Sequence, residues 1–229
     1  AFLKSGVQLR MTKDARARGI VSISSLASDG QSWLVTTRDA NRSDSGAWLV
    51  SGSQWLDVSG AFRNSEGGLD VSGQDGVWYA RAWTRGRVGS PKTQTLSRWM
   101  SGAQNAETVN LPSGFSNLAP GCLNEGGATV CTGIGAPVFV NGAWYLIGGS
   151  AESRTSDNRV LQAAKGNIWR LDGTNASTLS HLPEFKFVSG IWQSDSGILV
   201  ATSHAVTNPY AADAYWLFDG STMKNVGSQ

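Results

Sequence analysis

Apolar residues along this chain fall in short runs, and each run is entered through a polar turn. Asp29-Gly30 precedes SWLVTT, Asp75-Gly76 precedes VWYARAW, Asn141-Gly142 precedes AWYLIGG, and Asp195-Ser196 precedes GILVATS. Asp-Gly and Asn-Gly suit type I′ turns, in which both central residues take positive φ. The runs are rich in Trp, Tyr, Leu, Val and Ile, which fits strands packed on both faces. A second pattern interleaves with the first: an aromatic residue, a few variable residues, then glycine. It reads FLKSG from Phe2, WLVSG from Trp48, WMSG from Trp99, WRLDG from Trp169 and WLFDG from Trp216. Successive aromatics are 46, 51, 70 and 47 residues apart. No window carries a sustained helical period, so almost no helix is expected.

Self-similarity at about 40–50 residues marks propellers and related arrays. The order within each cycle is strand, tight turn, strand, polar loop, aromatic strand, glycine turn, strand. Four antiparallel strands per cycle make one propeller blade. The expected fold is therefore an all-β propeller with four full blades, over 18–62, 63–112, 113–184 and 185–229, after an outer half-blade over 1–17. Both ends of the chain align with the third and fourth strands of a blade. A half-blade exposes an unpaired strand edge and an apolar face. The chain is thus expected to belong to a larger ring, completed by another protein chain or a missing segment.

Composition agrees with this pattern. A chain of 229 residues with 28 Gly, 10 Trp and only 16% charged residues reads as all-β. A net charge of +2 gives weak attraction to nucleic acid or an anionic membrane. The basic run TKDARAR at 12–18 reads as a solvated connection between blades. No apolar stretch is long enough to span a membrane. The start, AFLKSGV, is not a signal peptide, and without a leading Met it points to a processed or excised N-terminus.

Cys122 and Cys131 are the only cysteines, and they bracket LNEGGATV. A hairpin centred between Gly126 and Gly127 sets them opposite each other, at a separation compatible with a disulfide. That reading is favoured over two free buried thiols or a catalytic thiol. His181 and His204 lack finger-like spacing to them, so no metal site is expected. A disulfide implies an oxidising compartment. The sequons at Asn41 and Asn175 are compatible with a secreted or surface location. The 70-residue gap holds this hairpin and the loop at 150–166, both read as elaborations of one blade.

NGAWYLIGG followed by NIWRLDG resembles the kelch and galactose-oxidase-like propellers, with Gly148, Gly149 and Trp169 at the key positions. The alternation of the two signatures also looks like the divergent repeats of secreted and surface prokaryotic propellers. The resemblance is architectural and carries no catalytic residues, since such repeats host enzymes, adaptors and lectins alike. Two His residues give no support for copper chemistry, and no cofactor is expected. The stretches Ser43 to Trp48 and Ser28 to Trp33 approach a sialidase Asp box with wrong spacing. Asp29, Asp75, Asp172, Asp195 and Asp219 stand at turn positions, where Asp is favoured for backbone reasons. Paired catalytic carboxylates are therefore not evident, and the chain is read as a non-enzyme.

One constellation goes beyond architecture. Thr37-Arg38, Thr84-Arg85, Ser153-Arg154 and Ser203-His204 follow the second strand of successive cycles. Arg38, Arg85, Arg154 and His204 are thereby expected on one face of the ring, as an anion site or as four separate surface charges. Trp33, Trp48, Trp78, Trp99, Trp144, Trp169 and Trp216 sit at repeat positions and read as inter-blade core. Trp55, Trp83 and Trp192 fall outside those registers; core or edge packing is the favoured reading for them, and stacking of an exposed Trp on a sugar ring, with Trp83 and Trp192 as candidates, is the alternative. The expected function is an extracellular binding or assembly propeller. The alternative is carbohydrate binding, including acidic glycans, and a glycoside hydrolase ranks behind both.

Overall fold

In the computed structural model of the chain, residues 20–39, 44–62, 69–83, 94–111, 122–125, 128–131, 137–148, 151–154, 160–163, 167–179, 187–194, 196–203 and 212–228 are described. Blade 1 consists of β1 (Ile20–Ser28), β2 (Trp33–Asp39), β3 (Asp44–Ser51) and β4 (Gln54–Asp57), followed by a 3-10 turn at Ser59–Phe62. Blade 2 holds β5 (Leu69–Gln74), β6 (Val77–Trp83), β7 (Gln94–Met100) and β8 (Glu107–Thr108). A separate hairpin follows, β9 (Cys122–Glu125) with β10 (Ala128–Cys131). Blade 3 begins with β11 (Val138–Val140) and β12 (Ala143–Gly148). It is interrupted by the hairpin β13 (Ala151–Arg154) and β14 (Val160–Ala163), and resumes with β15 (Asn167–Asp172) and β16 (Asn175–Thr178). Blade 4 is β17 (Phe187–Ser194), β18 (Gly197–Ser203), β19 (Ala214–Phe218) and β20 (Met223–Ser228). Each four-stranded sheet is antiparallel and pairs its strands in chain order. The fold is an all-β propeller, with four such blades among the described residues. The half-blade expected over 1–17 lies outside the described residues.

Turn chemistry explains why the hairpins close where they do. Asp75 and Gly76 have φ of 49° and 74°, and Asn141 and Gly142 have 47° and 79°. Both positions of each turn are thus left-handed, as a type I′ turn requires. The glycine that ends the second signature is also left-handed at Gly52, Gly102, Gly173 and Gly220, between the third and fourth strands of each blade. The Asp29-Gly30 turn departs from the expected form. Ser28 pairs with Trp33, so four residues make the loop. Asp29 is buried, and its Oδ1 accepts from the backbone N–H of Gln31 at 2.9 Å and Ser32 at 2.6 Å. Its Oδ2 accepts from the Gly76 N–H at 3.1 Å, which ties blade 1 to blade 2. Asp219 repeats the motif in blade 4. Backbone and hydroxyl donors of Thr222 and Ser221 hold its carboxyl well below the usual carboxylate range.

The sheets fan so that the innermost strands β1, β5 and β11 neighbour one another in turn, and β11 meets β18, the second strand of blade 4. Alternation along each strand sends one set of side chains to the next blade and the other to the previous one. Leu34 and Ala47 of blade 1 pack on Val71, Trp78 and Trp99 of blade 2. Tyr79 and Leu96 of blade 2 pack on Trp144, Leu146 and Trp169 of blade 3. Tyr145, Ile147 and Ile168 of blade 3 pack on Ile198, Val200 and Phe218 of blade 4. Trp78, Trp99, Trp144 and Trp169 are buried as expected, and Trp216 packs at the edge of the third cluster. Four blades therefore share three cores among the described residues. Burying apolar area between sheets, at about 25 cal/mol per Å², is what holds such a fan together.

Candidate functional site

The described cleft with polar chemistry lies where blade 2 meets blade 3, on the side of the tight turns. It is an open cleft of about 230 Å³, lined among others by Tyr79, Arg98, Trp144, Arg170, Asp172 and Gly173. Arg98 sits on β7 directly across from Tyr79 on β6. Its Nη1 donates to Glu107 Oε2 at 3.1 Å, which fixes the guanidinium beside the cleft. The Tyr79 hydroxyl donates to the Gly173 carbonyl at 2.7 Å. Burial pushes the Tyr79 phenol up, and the neighbouring Arg98 works against that shift. Tyr79 therefore stays a proton donor at neutral pH. Trp144 leans on Tyr79 with ring centroids 4.9 Å apart, which makes the floor rigid and apolar. Arg170, on β15, is exposed at the rim beside Asp172. Two guanidinium groups, one carboxylate and a firm aromatic base can recognise a ligand that carries both negative charge and hydroxyl groups.

A second charged pair is structural in character. Arg81, on β6, faces Asp70 across the β5–β6 ladder, and Arg81 Nη2 donates to Asp70 Oδ2 at 2.5 Å. Burial pushes the Arg81 guanidinium down and Asp70 pulls it back up. Neither residue was singled out from the sequence. The signal was present, because an arginine inside VWYARAW needs a partner to be buried. Arg98 and Arg170 were also passed over, since they stand 72 residues apart in unrelated local contexts.

The residues singled out from the sequence are spread over the propeller. Arg38 lies near the end of β2 and Arg154 ends β13. Arg85 and His204 lie outside the described residues, as do the side chains of Arg38 and Arg154. Trp83 ends β6, opposite Gln94. Trp192 is on β17, the innermost strand of blade 4, and is 52% exposed. Cys122 and Cys131 are direct partners in the β9–β10 register. Asn175 opens β16 and bridges to Asn110 across the blade boundary, while Asn41 lies outside the described residues. Among the described residues no cluster of three or more His, Cys, Asp or Glu could hold a metal ion. No helix there is long and apolar enough to cross a membrane.

No family model matches the chain, and no curated protein matches it by sequence. Solved structures do resemble it. The endosialidase of phage phi92 matches at 9% identity with a TM-score of 0.44, over 81% of this chain and 31% of that one. A β-fructofuranosidase from Bombyx mori, in complex with sucrose, matches at 13% identity and 0.41, over 90% and 48%. A levansucrase from B. megaterium matches at 10% identity and 0.42, over 99% and 72%. The chain thus spans about a third of the endosialidase and about half of the fructofuranosidase. None of the three supports the kelch type, and the propeller architecture alone stands. The reading of the chain as a non-enzyme is corrected here. All three of these structures are named as enzymes of carbohydrate.

Proposed function

We propose that the chain is a propeller that binds an acidic carbohydrate in the cleft between blades 2 and 3. The observation that carries this reading is the placement of Arg98 and Arg170, from two different blades, around one cleft of about 230 Å³ with Tyr79 and Trp144 beneath it. That volume is below the roughly 300–1,000 Å³ usual for drug-sized ligands, so the cleft suits one sugar unit of a longer chain. A carboxylate or sulfate on that unit would meet a guanidinium, and Asp172 would accept from its hydroxyls. A secreted or cell-surface location belongs to the same reading.

Calorimetric titration with oligosaccharides of matched length, either neutral or carrying uronic or sialic acid, tests it. The acidic forms should bind more tightly. Arg98→Ala and Arg170→Ala should each weaken them by about 10- to 100-fold, the loss of one charge-assisted hydrogen bond. Equal binding of neutral forms, or indifference to both substitutions, would overturn the assignment. A second reading, assembly with another chain, has one observation in its favour. The outward face of blade 4 carries the exposed Trp192, and no further blade packs there among the described residues.

A further inference from the structure

Directly opposed residues of an antiparallel ladder share a face, so each blade can be read as rows that cross its strands. One row lies at the tight-turn end, on the side that looks toward the following blade. In blade 2 it runs from Tyr79 through Arg98 to Glu107. In blade 3 it runs from Tyr145 through Arg170 to Ser177. Tyr79 packs on blade 3 and Tyr145 on blade 4, which fixes the direction of both rows. The matching row of blade 4 runs from Leu199 through Leu217 to Lys224 and faces outward. In blade 1 the row is Leu34, Leu49 and Leu56, with no charge.

Cations therefore recur on the two outer strands of this row in three successive blades, at Arg98, Arg170 and Lys224. Arg98 is held by Glu107. Arg170 has the neutral Ser177 in that place, and Lys224 stands opposite Leu217. Neither Arg170 nor Lys224 forms an ion pair among the described residues, and both are exposed. The acids beside this arc are Asp172 and Asp219, in the turns that precede the fourth strands. Both oxygens of Asp219 already accept from Ser221 and Thr222. Packed sheets lie about 10 Å apart, so three cations on successive blades span about 20 Å. That is longer than one sugar unit.

We infer that Arg98, Arg170 and Lys224 form a track for a linear acidic polysaccharide, which occupies the cleft between blades 2 and 3 and runs on past blade 4. The inference rests on the reading of the cleft as an acidic-carbohydrate site and extends it from one unit to a chain. Arg170 belongs to both parts, since it lies at the rim of the cleft and on the blade 4 side of its own sheet. Inward from Lys224, the row continues through the partly exposed Leu217 and Leu199 to Trp192, which is 52% exposed. An apolar strip ending in an open indole suits the C–H face of a sugar ring. A single-stranded nucleic acid would need an open aromatic surface for successive bases. Beside Arg98 and Arg170 the row offers none, because Tyr79 and Tyr145 are buried with their hydroxyls bonded to Gly173 and Gly220.

Calorimetric titration of the full chain with oligogalacturonates of two and of eight units tests the track. The short ligand fills the cleft alone, and the long one reaches past blade 4. Lys224→Glu should weaken the eight-unit ligand by about 5- to 30-fold, the effect of reversing one exposed charge, and leave the two-unit ligand unchanged. Arg98→Ala should weaken both. Lys224 is exposed on the outermost strand, and an unchanged circular dichroism spectrum verifies that the variant folds. An eight-unit ligand that binds no more tightly than the two-unit one, or that ignores Lys224→Glu, would remove the track and leave the cleft in place. Loss on Lys224→Glu with a two-unit ligand indifferent to Arg98→Ala would do the reverse. A single-stranded oligothymidylate of eight nucleotides that binds as tightly as the eight-unit sugar would reject the carbohydrate as occupant, and failure of both sugars to bind would reject track and cleft together.

Discussion

The Tyr79 hydroxyl reaches across a blade boundary and donates to the carbonyl of Gly173 at 2.7 Å. One repeat later, Tyr145 makes the same bond to Gly220 at 2.8 Å. In both cases the tyrosine follows a tryptophan on the second strand, and the glycine closes the turn between the third and fourth strands of the next blade. The two sequence signatures are therefore two halves of one contact. The tyrosine of one blade is anchored by the glycine turn of the next. Blade 1 has Leu34 at the equivalent position and blade 4 has Leu199, so among the described residues the bond is made where blade 2 meets blade 3 and where blade 3 meets blade 4.

Removing either hydroxyl leaves a carbonyl without its partner at a tightly packed boundary. Tyr79→Phe and Tyr145→Phe should each cost about 1–2 kcal/mol. For a domain of this size that is a fall in melting temperature of about 2–8 °C. The two sites lie in separate cores, so the double variant should lose the sum of the two within about 0.5 kcal/mol. Thermal unfolding followed by circular dichroism checks this. A melting temperature that does not move in either variant would show that the bonds contribute nothing.

Gly73 carries a different constraint. It stands opposite Trp78 in the β5–β6 register, and the Trp78 ring lies over it. A Cβ added at Gly73 would come within 2.3 Å of two carbons of that ring. Trp78 is fully buried between blades 1 and 2, so it has no room to withdraw. Gly73→Ala should therefore destabilise by about 1–3 kcal/mol, the usual cost of overfilling a packed core. Urea unfolding at matched slope should show it as a lower midpoint. A midpoint at or above that of the parent protein would mean that the ring moves freely.

The blade cycle was legible because strand and turn chemistry repeat locally. Asp75-Gly76 and Asn141-Gly142 behave as their sequences require, and the alternating Trp-Tyr pairs separate into rear and forward faces. Asp29-Gly30 reads identically in sequence but folds as a four-residue loop. The reason is tertiary: its carboxylate is drawn into the next blade by the Gly76 N–H. The Asp70–Arg81 pair and the arginine cleft were not legible for the same kind of reason. Each joins residues whose proximity depends on ladder register or on blade-to-blade packing, which no local pattern encodes.

The cysteine hairpin is a case where local pattern reached the register itself. Cys122 and Cys131 are partners across β9 and β10, with Gly126 and Gly127 between the two strands. Directly opposed residues of an antiparallel pair hold their Cβ atoms about 4.5–5.5 Å apart, and closer in the non-hydrogen-bonded kind. A disulfide needs about 3.5–4.5 Å, so small adjustment of the pair suffices. A bond here would close a short loop and hold a two-stranded hairpin that is marginal by itself in water. The expected outcome is therefore a Cys122–Cys131 disulfide in protein made under oxidising conditions. Alkylation without reduction, followed by intact mass, should add nothing to the chain. Reduction first should then add two alkyl groups. Two groups added before reduction would establish free thiols and remove the argument for an oxidising compartment.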